Sequence, residues 1–154
     1  MHTLATIGYE ATTVSAFLKA LQEARVELLV DVRAVAMSRR PGFAKSALTA
    51  NLASAGIEYL HFRKLGTPAD GRAAARAGKH AEMHRIFRQQ LATDEAQGEL
   101  QALADLIRSG KRIAILCFEA NPEHCHRRIV GQALEKLMPL HVIDLMPGID
   151  TDRE

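Results

Sequence analysis

The chain has no tryptophan, and only 5% of its 154 residues are aromatic. So few aromatic rings argue against a surface that stacks successive bases of a single-stranded nucleic acid. No apolar run approaches the roughly 20 residues that cross a bilayer as a helix, so no membrane partner is expected. Met1 to Ile7 lacks the charged start and long apolar core of a signal peptide and reads as a first strand, which points to a cytoplasmic protein. Cysteine is scarce: the chain has two, in a C-x7-C spacing that matches neither a C-x2-C zinc pattern nor a thioredoxin-type redox pair. Two cysteines without a secretion signal argue against a structural disulfide, and free thiols are expected.

What is present has the balance of an ordinary globular chain, 47% apolar and 25% charged. The length fits one domain, expected over residues 1–148 with 149–154 as a C-terminal tail. Net charge is only +2 but unevenly spread, because residues 31–90 hold 11 Lys or Arg against 4 Asp or Glu. The remainder holds 9 against 14. This asymmetry points to an anionic partner for the middle segment, a small molecule or a nucleic acid.

Apolar runs mark five strands: Leu4 to Gly8, Leu28 to Val32, Ile57 to Phe62, Arg112 to Leu116 and Leu140 to Leu145. Between them, apolar residues recur at helical spacing, as with Val14, Phe17, Leu18 and Leu21, or Ile129, Val130, Ala133, Leu134 and Leu137. The Gly- and Ala-rich stretch from Leu65 to Gly78 reads as a surface loop, with at most a helical turn at Ala73 to Ala77. Alternating strands and helices imply an α/β fold of three layers, a mostly parallel five-stranded sheet with helices on both faces. The favoured strand order is 3-2-1-4-5. It brings Gly8-Tyr9, Arg33 and Cys117-Phe118-Glu119 to one edge, where open α/β sheets place ligands.

The most informative stretch is Cys117-Phe118-Glu119-Ala120-Asn121-Pro122-Glu123-His124-Cys125-His126-Arg127, a strand-to-helix corner. Asn121-Pro122 reads as a capped helix start. This places Cys125 and His126 at the end of the first turn, facing the sheet, with Arg127 bordering the apolar stripe and Arg128 solvated. A helix N-terminus and a neighbouring His or Arg lower a cysteine pKa. Cys117 or Cys125 then becomes a candidate nucleophile, with Glu119 and His126 handling protons and Arg127 holding an anion. The plain alternative is that both thiols pack in the core. His124-Cys125 starts like a phosphatase loop, but Gly131 stands where that loop has Arg. Cys117, Glu119, Cys125 and His126 include ligands that suit zinc, yet their spacing is unusual and no metal is assigned. No cofactor is named by these residues.

Asp31-Val32-Arg33 closes the second strand, and Ser38-Arg39-Arg40-Pro41-Gly42-Phe43-Ala44-Lys45 follows. Arginine grips phosphate or carboxylate through paired donors, so Arg33 and Arg39 are expected to bind an anion with Arg127. The alternative for Arg33 is an internal ion pair with Asp31 or Glu119. Tyr9, after Gly8, has a hydroxyl able to reach a ligand. His80 and His84 read as surface or local packing residues.

Together these segments resemble the domain-of-unknown-function 488 family. The likeness is carried by Thr6-Ile7-Gly8-Tyr9-Glu10, Val30-Asp31-Val32-Arg33, Ser38-Arg39 with Phe43 and Lys45, Gly56-Ile57 through Leu65-Gly66, and above all Cys117-x-Glu119-x-x-Pro122-x-x-Cys125-His126-Arg127. The chain departs from the family pattern at Ala34 and Ala36, near which Ser and Pro are usual, and at Met37, where Arg is. The resemblance implies an α/β fold and a shared polar site, and no particular activity. Two functions are therefore carried forward: an enzyme acting on an anionic, phosphate-bearing or nucleotide-like substrate, and a non-catalytic nucleotide- or nucleic-acid-binding module.

Overall fold

The first strand, β1 (His2–Gly8), is exposed at its start and buried from Leu4 onward. In the computed structural model, which describes residues 1–148, it leads into α1 (Val14–Glu23). The Thr13 side chain caps that helix by accepting from the Ala16 N–H at 3.1 Å. Then come β2 (Leu28–Asp31), α2 (Lys45–Ser54) and β3 (Glu58–His61). Three helices, α3 (Ala69–Arg76), α4 (His80–Leu91) and α5 (Asp94–Arg108), separate β3 from β4 (Ile113–Cys117). The chain closes through α6 (Arg127–Leu137) and β5 (Leu140–Leu145). The expected tail, 149–154, lies outside the described residues.

The sheet is parallel throughout and sandwiched between helices, as the strand–helix alternation predicts. One face packs Leu4, Val30 and Ile115 against Leu103, Ile107, Val130 and Leu134. The other packs Ile7, Leu29 and Leu116 against Phe17, Leu21, Leu48 and Leu52. Each helix contributes apolar residues three or four apart, which is how one stripe of a helix meets a sheet.

Strand order is 3-2-4-1-5, not the expected 3-2-1-4-5. The two central strands are exchanged, and polarity accounts for it. Every residue of β4 is buried, as an interior strand covered on both faces is in either order. β1 carries Thr6, whose hydroxyl donates to Asp144 of β5 at 2.5 Å. With β4 next to β5, that pair would be separated. β1 and β4 remain neighbours, with Gly8 opposite Cys117, so their carboxyl ends still form one edge.

The stretch read as a loop contains α3. Pro68 precedes its first turn and Asp70 stands within it, both favourable at a helix start, and alanine is the best helix former.

Gly8 fixes how closely the ends of β1 and β4 approach. A Cβ there would lie 1.9 Å from the Glu119 carbonyl oxygen, and backbone cannot yield as a flexible side chain does. Gly8→Ala is expected to cost about 3 kcal/mol in urea denaturation; a loss below about 0.5 kcal/mol would show that the edge relaxes freely.

Candidate functional site

The loops that follow β1 and β4 are laced together. The Tyr9 and Glu10 N–H groups both donate to the Phe118 carbonyl, at 3.1 and 2.8 Å. The Ala120 N–H donates to the Glu10 carboxylate at 3.0 Å. Arg127 completes the lacing from beneath with no exposed surface. Its Nε donates to Thr6 Oγ1 at 3.2 Å, and its Nη1 and Nη2 donate to the Glu119 and Ala120 carbonyls at 2.5 and 3.3 Å. Expected at the border of an apolar stripe and assigned to an anion, Arg127 is wholly internal with its donors turned to the protein.

The reason lies in the corner. Asn121 caps as anticipated, its side chain accepting from the Glu123 N–H at 3.0 Å. The turn it caps is only Pro122–His124, however, and Cys125 is extended (φ −117°, ψ 147°). The helix proper starts at Arg127 after His126. Cys125 and His126 therefore precede the helix instead of closing its first turn, and the break resets the helical phase. Both are still buried near the end of β4.

Arg33 and Asp31 form a second internal knot at the end of β2. Arg33 Nε and Nη2 reach Asp31 Oδ1 and Oδ2 at 2.9 and 2.7 Å, while Nη1 donates to the Phe43 carbonyl at 2.7 Å and to the Tyr9 hydroxyl at 3.2 Å. Tyr59 adds a 2.6 Å bond to Asp31 Oδ2. Burial works against the Arg33 charge, but Asp31 and Tyr9 outweigh it and hold its pKa above the ordinary value. The internal ion pair weighed from sequence is present, and most of the guanidinium is committed to it. Tyr9 is itself buried, stacked on Phe43 with ring centroids 4.7 Å apart.

At the centre of the edge stand two thiols, an imidazole and a carboxylate. His126 Nε2 lies 2.7 Å from the Val32 carbonyl. A carbonyl only accepts, so Nε2 carries the proton and Nδ1 presents its lone pair in the neutral ring. Nδ1 faces Cys117 Sγ at 3.3 Å and Cys125 Sγ at 3.8 Å. Cys117 Sγ also lies 3.4 Å from Glu119 Oε2. Burial pushes the Cys125 thiol well above the ordinary thiol range, and Cys117 adds to the rise. This reverses the lowering expected from a helix N-terminus. Burial also disfavours a charged His126 ring, but Cys125, the Val32 carbonyl and Glu119 outweigh it and raise the imidazole above its ordinary value.

Above this centre opens a cavity of about 540 Å³, lined by residues that include Tyr9, Arg33, Cys117, Glu119 and His126. Arg39 is exposed and is not part of that lining. The cavity's further cationic wall comes from residues the sequence reading missed. Arg72 and Arg76, four apart on α3, share one helix face. His80 stacks on His124 with ring centroids 4.1 Å apart, and its Nδ1 has no hydrogen-bond partner among the described residues. The signal was the Arg-x3-Arg spacing, hidden by an alanine-rich composition taken for a loop. Val35, Met37 and Phe118, each at least 42% exposed, form an apolar rim.

A Cys/His centre at the carboxyl edge of a parallel α/β sheet thus defines the class of site. The family model described as "Domain of unknown function DUF488" matches residues 13–134, and the chain belongs to that family. The match takes in the whole Cys117–Arg127 corner, whereas the Thr6–Glu10 segment precedes it. No curated protein and no solved structure matches the chain.

The Asp31 knot yields two tests. Asp31→Ala leaves a buried guanidinium without its anion and is expected to cost about 3–5 kcal/mol in urea denaturation; a loss under about 1 kcal/mol would mean that Arg33 swings out to water. Burial and the Asp31 carboxylate raise the Tyr59 hydroxyl well above the ordinary phenol range. A group raised on folding contributes stability that is full below its unfolded pKa, about 10, and lost as pH climbs through the folded value. In a Tyr9→Phe background, where Tyr59 is the remaining tyrosine, phenolate absorbance should appear well above pH 10 in the folded protein and near pH 10 in urea. Coincident titrations would contradict the buried contact.

Proposed function

We propose that this protein is an enzyme acting in the cytoplasm on an anionic, phosphate-bearing or nucleotide-like substrate held in the cavity over Cys117, Glu119 and His126. The observation that carries the reading is the convergence of a proton-exchanging centre and two arginines outside any buried carboxylate pair on one cavity. Arg33 is spent on Asp31 and Arg127 lies outside the cavity lining, so Arg72, which also donates to the Thr67 carbonyl at 2.9 Å, and Arg76 are the cations that meet the anion, with His80 beside them. The apolar rim of Val35, Met37 and Phe118 suits the flat or apolar part of such a substrate.

Within the centre, Cys117 is the thiol that lines the cavity, while Cys125 is enclosed and held protonated by its burial. Glu119, half-buried at the cavity wall, takes and returns the proton at the reacting atom. His126, fixed by the Val32 carbonyl, exchanges a proton with Cys117. Placed general acids and bases contribute about 10²–10⁴-fold to a rate.

The test has two arms. Inorganic phosphate binding, read by calorimetry, should weaken at least about tenfold in Arg72→Ala, the loss of one charge-assisted pair, and more when Arg76→Ala is added. A panel of phosphate monoesters and nucleotides should include a compound that is turned over, with kcat reduced about 10²-fold or more in Glu119→Gln and Cys117→Ser. Phosphate binding with no turnover across the panel would leave the non-catalytic binding module. Phosphate binding that ignores both arginines would overturn the cavity as the anion site.

A further inference from the structure

We infer that Cys117, Cys125 and His126 bind one zinc ion, with two thiolates and one imidazole as ligands and the fourth position open to the cavity. This deepens the proposed function: with the ion bound, Cys117 and the His126 lone pair are ligands and no longer exchange a proton, so the ion takes the electrophile's part and Glu119 handles protons, but the site stands or falls on its own measurement.

The geometry is that of ligands waiting for an ion. The Sγ atoms of Cys117 and Cys125 and a ring nitrogen of His126 all lie within 4.8 Å of one another, on three buried residues. Zinc bonds of about 2.3 Å to sulfur and about 2.0–2.1 Å to nitrogen, arranged tetrahedrally, put S···N pairs about 3.6 Å apart and S···S pairs about 3.8 Å apart. The two S···N separations here are 3.3 and 3.8 Å. A single S–H···N hydrogen bond explains one of these thiols; the approach of both to one lone pair is what an ion between them would require.

The surroundings of the ring give the second observation. A metal-bound histidine commonly donates its other N–H to a carboxylate or backbone carbonyl, which fixes the tautomer and aims the lone pair at the ion. His126 Nε2 makes that bond to the Val32 carbonyl at 2.7 Å, leaving Nδ1 toward the two sulfurs. Phe87 packs on the ring with centroids 4.8 Å apart and holds its plane. Cys125 is also accounted for: it has no surface exposure and no part in the cavity lining, yet its sulfur is turned into the cluster.

Thiolates and imidazole together select a borderline-soft ion such as zinc over magnesium or calcium. Three protein ligands with a fourth position free is the pattern of reactive zinc sites, whereas structural sites are closed by four. Cys117 and His126 line the cavity, so the free position meets what enters it. Glu119 Oε2, 3.4 Å from Cys117 Sγ, is the carboxylate next to that position. Binding displaces the two thiol protons to solvent, so affinity rises with pH.

The tag-free chain, stripped with a chelator and confirmed folded by circular dichroism, would be titrated with zinc and, separately, with cobalt(II). One ion per chain is expected, with sulfur-to-cobalt charge-transfer absorption and the intense visible bands of a four-coordinate site. Zinc should slow the reaction of both thiols with an aromatic disulfide at least tenfold. Cys125→Ser should weaken zinc binding by about a hundredfold or more, while Glu119→Gln keeps the ion. Should Cys125→Ser fail to fold, the wild-type cobalt spectrum and thiol protection decide the matter. A folded, stripped chain that takes up no zinc, or that binds cobalt without a sulfur charge-transfer band, overturns the site. That outcome leaves phosphate binding through Arg72 untouched, and the loss of phosphate binding leaves the cobalt spectrum untouched.

Discussion

A guanidinium with no exposed surface, that of Arg127, ties the loop after β4 to the end of β1. A cation in a sheet interior is tolerable only when its donors are met. Here they are met by a threonine hydroxyl and two carbonyls that would otherwise need partners of their own. The bonds to the Glu119 and Ala120 carbonyls set the path of the chain between the two cysteines. Gly8 leaves the room for it, since any side chain there would collide with Glu119 and approach Arg127 Nη1 to 3.0 Å. The placement of Cys117, Glu119, Cys125 and His126 follows from that arrangement.

The edge uses its positive charges in two ways. Arg33 is paired with Asp31, and Arg127, bonded to neutral oxygens, is enclosed outside the cavity lining, so both serve first to shape the site. Arg72 and Arg76 stand on a helix at the cavity wall, where charge remains available to a ligand. The basic middle segment seen in the sequence is therefore not one surface: part of it is internal scaffold, part is cavity wall, and Arg39 lies on the exposed loop.

Much of this was legible in the chain. Continuous apolar runs gave strands, and residues three or four apart gave most helices, because burial imposes those periods directly. The gathering of Tyr9, Arg33, Cys117 and Glu119 at one edge followed from parallel strands ending on the same side. The order of β1 and β4 was not legible, since it depends on which neighbour satisfies Thr6, a pairing remote in sequence. Arg127 was placed only at the border of the apolar stripe, although Val130, Gly131 and Leu134, three, four and seven residues on, are buried along the same face; a cation at such a position reads as solvated until its acceptors are known. Arg72 and Arg76 escaped notice because alanine and glycine together read as loop, although alanine alone favours helix.

The central claim is that the cavity at the carboxyl edge, walled by α3 and floored by the thiol–imidazole centre, is where an anion is received. A crystal structure of the chain grown in inorganic phosphate tests it most directly. The expected result is a phosphate inside the cavity, hydrogen-bonded to Arg72 or Arg76 and facing Cys117. Phosphate found only outside the cavity, at a concentration that saturates binding in solution, would contradict it.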